Sequence, residues 1–280
     1  MAIGIGIGIP FMQAKAKKYI LDKISGSVAA YSTRLLKASF IGQNVVEVRR
    51  SGDNAISGFK ANEITDGTLA AWANANGGDG FVATWYDQSG EDNDAEQATA
   101  ANQPQIVDSG VVQDIEYDGA NDYTETPDDN SLDITDAITV SMWIKVASFP
   151  NYSAILTKTG STEWDDYVGL VLEGNDIRLF VNAWSTNYAE FTNLSTNTWY
   201  HIVGTYDKNA ESDQIKIYVN DAEGTPDTYS TNISVNNDPL VLGISGDDSS
   251  YPFDGKISNA IIFNKALSEA EITQIYNEGH

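Results

Sequence analysis

The sequence contains no cysteine and only two histidines, His201 and His280, among its 280 residues. The absence of cysteine excludes disulfide bonds, thiolate metal sites and a cysteine nucleophile, and it leaves the cellular compartment open. With two histidines, a metal or catalytic cluster built from imidazoles is not expected. No apolar run approaches the roughly 18 residues that a membrane-spanning helix needs, so we expect no membrane partner.

Basic residues are also scarce. Sixteen lysines and arginines stand against 40 aspartates and glutamates, which gives a formal net charge of −24. Such a surface repels nucleic acids and anionic membranes and suits neutral glycans, cations or a basic partner. We therefore expect no nucleic-acid partner. The length allows one large domain or two modest ones.

The N-terminus reads MAIGIGIGIPF, in which isoleucine alternates with glycine. The lysines follow this apolar stretch instead of preceding it, so we expect no secretory signal peptide. The alternation predicts an extended strand that is unstable alone and adds to the sheet edge of another chain. A frayed tail is the alternative. The predicted anchoring residues are Ile3, Ile5, Ile7, Ile9 and Phe11.

Three segments follow from the composition of the chain: an anchoring arm at 1–18, a helix and strand extension at 19–110, and a strand-rich region at 111–280. In the extension, periodicity predicts helix-like stretches at Tyr19–Ile24, Ala29–Phe40 and Thr68–Ala75, and strands at Val45–Arg50 and Phe81–Tyr86.

From Val111 onward, eight apolar stretches are separated by polar turns. The predicted strands are Ile138–Val146, Ala154–Lys158, Tyr167–Leu172, Ile177–Val181, Tyr200–Tyr206, Gln214–Val219, Leu240–Ile244 and Ile257–Phe263. Their spacing indicates antiparallel sheets packed face to face. A closing helix is predicted at Ala266–Tyr276, with Ser268 as N-cap and Glu271 three residues later.

Several blocks of this region resemble the laminin-G/concanavalin A-like superfamily: IEYDGANDY, ITVSMWIKV, NTWYHIVGTYD, IKIYVND and FDGKISNAIIFNKALSEAEITQIYN. The last block is the most specific, and the match covers about 111–280. The resemblance implies an all-β fold, an antiparallel concanavalin/laminin-G-like β-sandwich (jelly roll) with a few short helices and an extended N-terminal arm.

A narrower resemblance concerns residues 30–107. AYSTRLLKASFIGQNVVEVRR and TWYDQSGEDNDAEQATAANQPQIV are similar to the start of the catalytic domain of fungal α-L-arabinofuranosidase B. That family builds its catalytic domain on the same sandwich, which implies that 19–110 supplies edge strands and covering helices to one enlarged sandwich.

The same family places its nucleophile and its acid/base residue in motifs whose nearest segments here are LVLEGND and VLGISGDDSS. This implies Glu173 and Asp247 as the alternative catalytic pair of a glycoside hydrolase. The family's vicinal-cysteine element is absent, however, and LEGND reads equally well as a hairpin turn with Gly-Asn at its tip. We therefore expect a protein that is not an enzyme.

The IGIGIPF start ahead of a laminin-G-like module also resembles virion proteins of tailed phages. This implies a virion structural protein, such as a capsid decoration, head-fibre or tail component, located at the particle surface. Its partners would be other virion proteins, reached through the arm, and a cell-surface glycan. A homo-oligomer is expected because an exposed Ile-Gly strand and long sandwich edges would otherwise promote aggregation.

Glycan binding requires loop aromatics beside polar groups, since sugar rings stack on aromatic faces and their hydroxyls hydrogen-bond to carboxylates. The predicted carbohydrate-binding residues are Trp164, Asp165, Trp184, Tyr188, Asp248 and Tyr251. Trp143 and Trp199 fall within strand patterns and are expected in the core, as are Trp85 and Tyr86.

No cofactor is required, and calcium is a candidate because the superfamily often holds one. Calcium needs six to eight oxygen ligands. The candidate ligands are Asp118 and Asp122 in YDGANDY, or Asp247 and Asp248. The alternative is that these are solvated turn aspartates.

Overall fold

The computed structural model describes residues 18–159, 166–246 and 250–280. The arm residues Ile3, Ile5, Ile7, Ile9 and Phe11 lie outside this range. In order, the strands are β1 Ser27–Tyr31, β2 Asn44–Arg50, β3 Ile56–Lys60, β4 Gly80–Trp85, β5 Ala95–Glu96, β6 Gln105–Asp108, β7 Val111–Asp118, β8 Thr124–Thr126, β9 Ala137–Val146, β10 Tyr152–Thr157, β11 Val168–Glu173, β12 Asp176–Val181, β13 Tyr188–Phe191, β14 Trp199–Asp207, β15 Ile215–Val219, β16 Ala222–Glu223, β17 Leu240–Leu242 and β18 Asp254–Phe263.

The helices are short. The α-helices are α1 Ala61–Thr65, α2 Thr68–Asn74 and α3 Glu269–Glu278, and single 3-10 turns occur at Ile20–Asp22, Ala38–Phe40, Ala100–Asn102 and Asn130–Leu132.

The strands form two antiparallel sheets. The first sheet runs β16–β15–β14–β9–β18, and both β1 and β7 pair with β18. The second sheet runs β13–β12–β11–β10–β17–β8–β5–β4–β2–β3. Strand β6 pairs with both β4 and β7 and so joins the two sheets along one side. This nearly closed arrangement confirms the predicted all-β sandwich.

The main hydrophobic core lies between the sheets. Alternate residues of β9, including Ile138, Val140 and Met142, point into it together with Ile177 and Leu179 of β12. Because side chains alternate across a strand, the residues between them face outward, and each sheet has a second face that must be covered or solvated.

The outer face of the first sheet is covered by α3, which packs Ile272 and Ile275 against Val203 and Phe263. Ser268 and Glu271 form the predicted capping box at its start. The predicted helix is confirmed and begins at Glu269. Within the part of the chain that the structure describes, no helix is long and apolar enough to cross a membrane.

One predicted helix is wrong. Residues 29–40 hold the end of strand β1, which pairs with β18, and a single 3-10 turn at Ala38–Phe40. The backbone groups of this segment are bound from outside it: the N–H of Ala30 donates to the side chain of Asp87 at 2.7 Å, and the N–H of Leu36 donates to Gln88 Oε1 at 2.9 Å. Tertiary partners thus replace the bonds that a helix would make.

The other elements of the extension agree better with the sequence. The helix at 68–75 and the strands at 45–50 and 81–86 are confirmed, whereas 19–24 contains only a 3-10 turn. Strand β1 joins the first sheet, and β2 to β5 extend the second. The division of the chain at 18 and 110 stays a prediction.

Candidate functional site

The outer face of the second sheet, across β10 to β13, has no helix over it among the residues that the structure describes. Outward-pointing side chains and one loop residue form what we call the outer-face patch. Its members are Tyr152, Ala154, Val171, Glu173, Arg178, Phe180, Trp184, Tyr188 and Glu190.

The floor of the outer-face patch is apolar. Ala154, Val171 and Phe180 are buried, and the half-buried rings of Tyr152, Trp184 and Tyr188 pack against them. Gly169 makes room for the floor, because a Cβ atom there would lie 2.3 Å from the Phe180 ring. The sheet therefore presents a small second core whose upper surface consists of aromatic rings.

The rings stand at steep angles to one another. Tyr152 and Trp184 have centroids 5.2 Å apart and planes at 79°, and Tyr152 and Tyr251 are 5.9 Å apart at 85°. These edge-to-face contacts hold each ring in a fixed orientation. Tyr251 is 38% exposed. A fixed ring with an accessible surface is what stacking against a sugar requires.

The polar groups of the patch centre on Arg178. Its guanidinium lies 4.1 Å from the Tyr188 ring centroid, donates from Nε to Glu190 at 2.7 Å and pairs through Nη1 with Glu173. The Tyr152 hydroxyl is 3.5 Å from Glu173. One arginine thus neutralises half of the charge of two carboxylates and fixes their positions.

The backbone beside the patch contains two uncommon conformations. Tyr167 and Tyr251 have φ angles of 54° and 57°, in the left-handed region that bulky residues rarely adopt. The Tyr251 carbonyl accepts a hydrogen bond from the N–H of Ala154 in β10. Each conformation costs on the order of 1–3 kcal/mol, so the surrounding contacts must hold it, and such positions cluster at functional sites.

The structure brings three of the predicted carbohydrate-binding residues, Trp184, Tyr188 and Tyr251, to this one region. Glu173 is there as well. Trp164, Asp165, Asp247 and Asp248 lie outside the described residues. Thr159 and Gly246, the described residues that precede these two gaps, are in contact. A Cβ atom on Gly246 would lie 1.8 Å from the carbonyl oxygen of Thr159.

Sequence reasoning missed Tyr152, Arg178 and Glu190. The signal that could have found them is the period of two along β10, β12 and β13. Arg178 and Phe180 alternate with the core residues Ile177 and Leu179, so an aromatic ring falls on a face where a solvated sheet carries polar residues.

The other tryptophans follow the prediction in part. Trp85 and Trp143 are buried as expected, whereas Trp199 and Tyr86 are only half-buried. Trp199 stacks on His280 at 4.4 Å, on the outer face of the first sheet. Trp199 therefore lies on a different sheet from the outer-face patch, and it serves below as a control residue.

Glu173 sits at the end of β11, where a two-residue hairpin loop of Gly174 and Asn175 leads into β12. Gly174 has a φ of 59°, which the first position of such a turn requires. Hydrolysis of a glycosidic bond with retention needs one ionised and one protonated carboxyl group. Glu173 and Glu190 are instead both paired with the guanidinium of Arg178.

Asp118 and Asp122 lie elsewhere, in a groove of about 490 Å³ that also contains Arg49, Phe81 and Glu116. The buried Asp122 accepts a hydrogen bond from the N–H of Asp118 at 3.1 Å, and burial with the neighbouring Asp118 charge raises the pKa of Asp122 to about 7.

Asp118 accepts from the N–H groups of its own turn, at Ala120 and Asn121. Across the described ranges no three acidic or histidine side chains are grouped as a metal site would need. Calcium binding at this pair stays a prediction.

Residues 118–273 match a family model described as the concanavalin A-like lectin/glucanases superfamily, which is more than half of the 280-residue chain. A search of curated proteins finds no significant match.

Solved structures with similar folds include an arabinofuranosidase complexed with arabinofuranosyl-α-1,2-xylobiose, at a TM-score of 0.65 and 15% identity over 90% of this chain and 61% of that one. A GH54 α-L-arabinofuranosidase soaked with a cyclic sulfate inhibitor gives 0.64 and 15% identity over 90% and 62%. The binding domain of botulinum neurotoxin serotype D gives 0.54 and 17% identity over 91% and 52%. The chain spans less than two thirds of the length of each, and identities this low show the fold alone.

Proposed function

Because the chain belongs to the concanavalin A-like lectin/glucanases superfamily, we propose that it binds a carbohydrate on the outer-face patch and does not hydrolyse it. The observation that carries this proposal is the aromatic surface of the patch, with fixed carboxylates beside it. Rings stack on the C–H faces of sugars, and Glu173 and Glu190 each keep oxygens for accepting hydroxyl hydrogen bonds.

The charge of the patch favours a neutral glycan. Arg178 offsets only one of its two carboxylates, and the chain as a whole carries a formal charge of −24. Sulfated or uronic-acid polymers would be repelled by this field, whereas neutral hexoses or pentoses would not.

The binding test uses the full chain, multimerised on streptavidin and applied to a glycan array with and without calcium. We expect the double variant W184A/Y188A to lose about tenfold or more in apparent affinity, because two stacking rings contribute about 0.5–1.5 kcal/mol each and multivalency amplifies the loss. The control is Trp199→Ala, a half-buried tryptophan on the other sheet. Equal binding by the double variant and the control would refute this choice of surface.

The similarity of fold to arabinofuranosidases favours a second candidate function, a glycoside hydrolase with Glu173 as nucleophile and Asp247 as acid/base. Any glycan that binds is therefore incubated with the protein and analysed for released sugars. We expect none, since Glu173 is engaged by Arg178. Hydrolysis that Glu173→Gln abolishes would establish the enzyme instead.

We further propose that this module is displayed on a tailed-phage virion as a structural component anchored by its N-terminal arm. The support is the Ile-Gly alternation and the acidic charge of the sequence. Deleting residues 1–18 should leave the thermal unfolding of the sandwich within a few degrees of the full chain but abolish incorporation into particles. Normal incorporation of the truncated chain would contradict the anchoring role and the homo-oligomer that it implies.

A further inference from the structure

A lysine is buried directly after the end of β10, a strand inside the second sheet. The side chain of Lys158 is fully buried, and its ammonium group donates to Asp128 Oδ1 at 2.8 Å and to the carbonyl oxygen and Oδ1 of Asn236, both at 2.9 Å. These three acceptors use all three of its hydrogens. The lysine is thus held against the carboxamide of Asn236.

The carboxamide is held in one orientation. Asn236 Nδ2 donates to the carbonyl oxygen of Lys158 and to Asp166 Oδ2, both at 3.0 Å, and its Oδ1 also accepts from the N–H of Asp238. Lys158 Nζ is 2.9 Å from Asn236 Oδ1, and the C=O bond is about 1.2 Å long, so Nζ lies no more than about 4 Å from the side-chain carbon Cγ. Atoms positioned to react are about 3–3.5 Å apart.

Asp166 contacts the side-chain nitrogen of Asn236. Its Oδ2 contacts Asn236 Nδ2, while its Oδ1 is buried and has no hydrogen-bond partner. A buried carboxylate oxygen without a partner is costly in free energy. Asp166 is therefore positioned to exchange a proton with Asn236 Nδ2.

The stem of Lys158 is surrounded by apolar side chains. It lines an enclosed space together with Leu132, Val140, Leu156 and Tyr167, and its Nζ lies 5.0 Å from the centroid of the Tyr167 ring. The Lys158 side chain is 0% exposed, so these neighbours keep water away from its ammonium group.

We propose that Lys158 and Asn236 join in an intramolecular isopeptide bond, with Asp128 and Asp166 as the proton-transferring groups. Lys158 passes one proton to Asp128, and its neutral amine attacks the carbonyl carbon of Asn236. As the new C–N bond forms, the attacking nitrogen releases its second proton and Nδ2 gains one through Asp166. The bond from Cγ to Nδ2 then breaks, and the departing ammonia takes up the proton held by Asp128. In balance, an ammonium and a carboxamide become a secondary amide and an ammonium ion, with no oxidant or external reactant.

A second lysine, Lys208, contacts an asparagine and an aspartate at an exposed position and can be compared with Lys158. Lys208 Nζ contacts Asn232 Oδ1 at 3.0 Å and Asp136 at 2.6 Å, which is the same set of residue types, but Asp136 is 58% exposed and water reaches the lysine. The reaction requires a dry site, so this second set stays unlinked. The proposal does not depend on glycan binding.

The test is intact mass spectrometry of the folded full chain after incubation at neutral and mildly alkaline pH. We expect most molecules to weigh about 17 Da less than the sequence mass, the mass of ammonia, and a protease digest to yield one branched peptide that joins 158 to 236. Lys158→Arg should keep the full mass, and Asp166→Asn should slow the loss at least tenfold. Asn236→Asp should instead lose about 18 Da, as water leaves.

Two controls make the result decisive. Lys208→Ala should keep the loss of mass. Asn76, which precedes Gly77, can also lose ammonia by forming a succinimide, and that product stays within one linear peptide. A loss of mass that maps to 76–77, or a wild-type chain that keeps its full mass throughout, would overturn the proposal.

Discussion

Replacing Asp87 with alanine is expected to lower the free energy of unfolding by about 3–5 kcal/mol. The carboxylate is 4% exposed and accepts hydrogen bonds from the N–H groups of Ala30, Ser89 and Asn93 at 2.7, 2.8 and 3.2 Å. Alanine leaves these donors without an acceptor, and each unsatisfied buried donor costs about 1–3 kcal/mol. Urea unfolding followed by circular dichroism measures the change.

The matched control is Glu91→Ala, an exposed carboxylate in the same loop. Surface substitutions of this kind stay within about 0.5 kcal/mol. If Asp87→Ala were as mild as this control, the N–H groups of Ala30, Ser89 and Asn93 would not depend on the carboxylate, and our structural explanation of Asp87 would be wrong.

The second large effect concerns His201, which is expected to lower the free energy of unfolding as the pH falls. The ring is 1% exposed and packs beside both Trp143 and Tyr276, with centroids 5.2 and 5.9 Å away, and burial lowers its pKa from 6.5 to about 3. The unfolded chain therefore binds a proton between these pH values while the folded chain does not. Stability from this group is complete above pH 6.5 and is lost as the pH falls toward 3.

The measurement compares unfolding of the wild type and His201→Gln from pH 7 to pH 4. Glutamine stays neutral and can still bond to Ser141, whose Oγ lies 3.0 Å from His201 Nε2. We expect the wild type to lose about 3 kcal/mol more than the variant over this range. The difference between the two curves removes the opposite contribution of Asp122, which is common to both.

His280→Gln is the control for this comparison, since His280 is exposed at the end of the same aromatic stack. It should unfold in parallel with the wild type. Parallel curves for His201→Gln as well would mean that the buried imidazole takes up its proton without unfolding the sheet.

The sandwich could be predicted from the sequence because its determinants are local. Alternating apolar residues in β9 and β12 set the strands and their buried faces, and Ser268 with Glu271 set the start of α3. The helix predicted at 29–40 failed because its backbone is bound by Asp87 and Gln88, which are more than 50 residues away along the chain. No local pattern reports such partners.

The TWYDQSG block contains two residues, Asp87 and Gln88, that bind the backbone of a distant segment. Gln88 is buried, accepts from the N–H of Leu36 and donates to the carbonyl oxygens of Ser32 and Arg34 at 3.0 Å. Together with Asp87 it fixes the segment that follows β1. The resemblance to arabinofuranosidases in this block is therefore explained by folding, whatever the activity of the protein.

The site was only partly predictable. Loop aromatics such as Trp184 stand out in a sequence because no strand pattern accounts for them. Arg178 and Glu190 do not, since a charged residue on a strand is usually a solvated one. Their convergence depends on the antiparallel register of β12 and β13, in which Arg178 lies opposite Glu190, and that register follows from the turn between the strands.

The central claim, that a neutral glycan docks on the outer-face patch, is tested most directly by NMR of the six tryptophan indole groups during titration with a glycan selected on the array. Assignment uses single Trp→Phe variants. The account predicts that the Trp184 resonance shifts in a saturable manner while those of Trp72, Trp143 and Trp199 stay in place. Saturable shifts at Trp199 or Trp143 with none at Trp184 would contradict it.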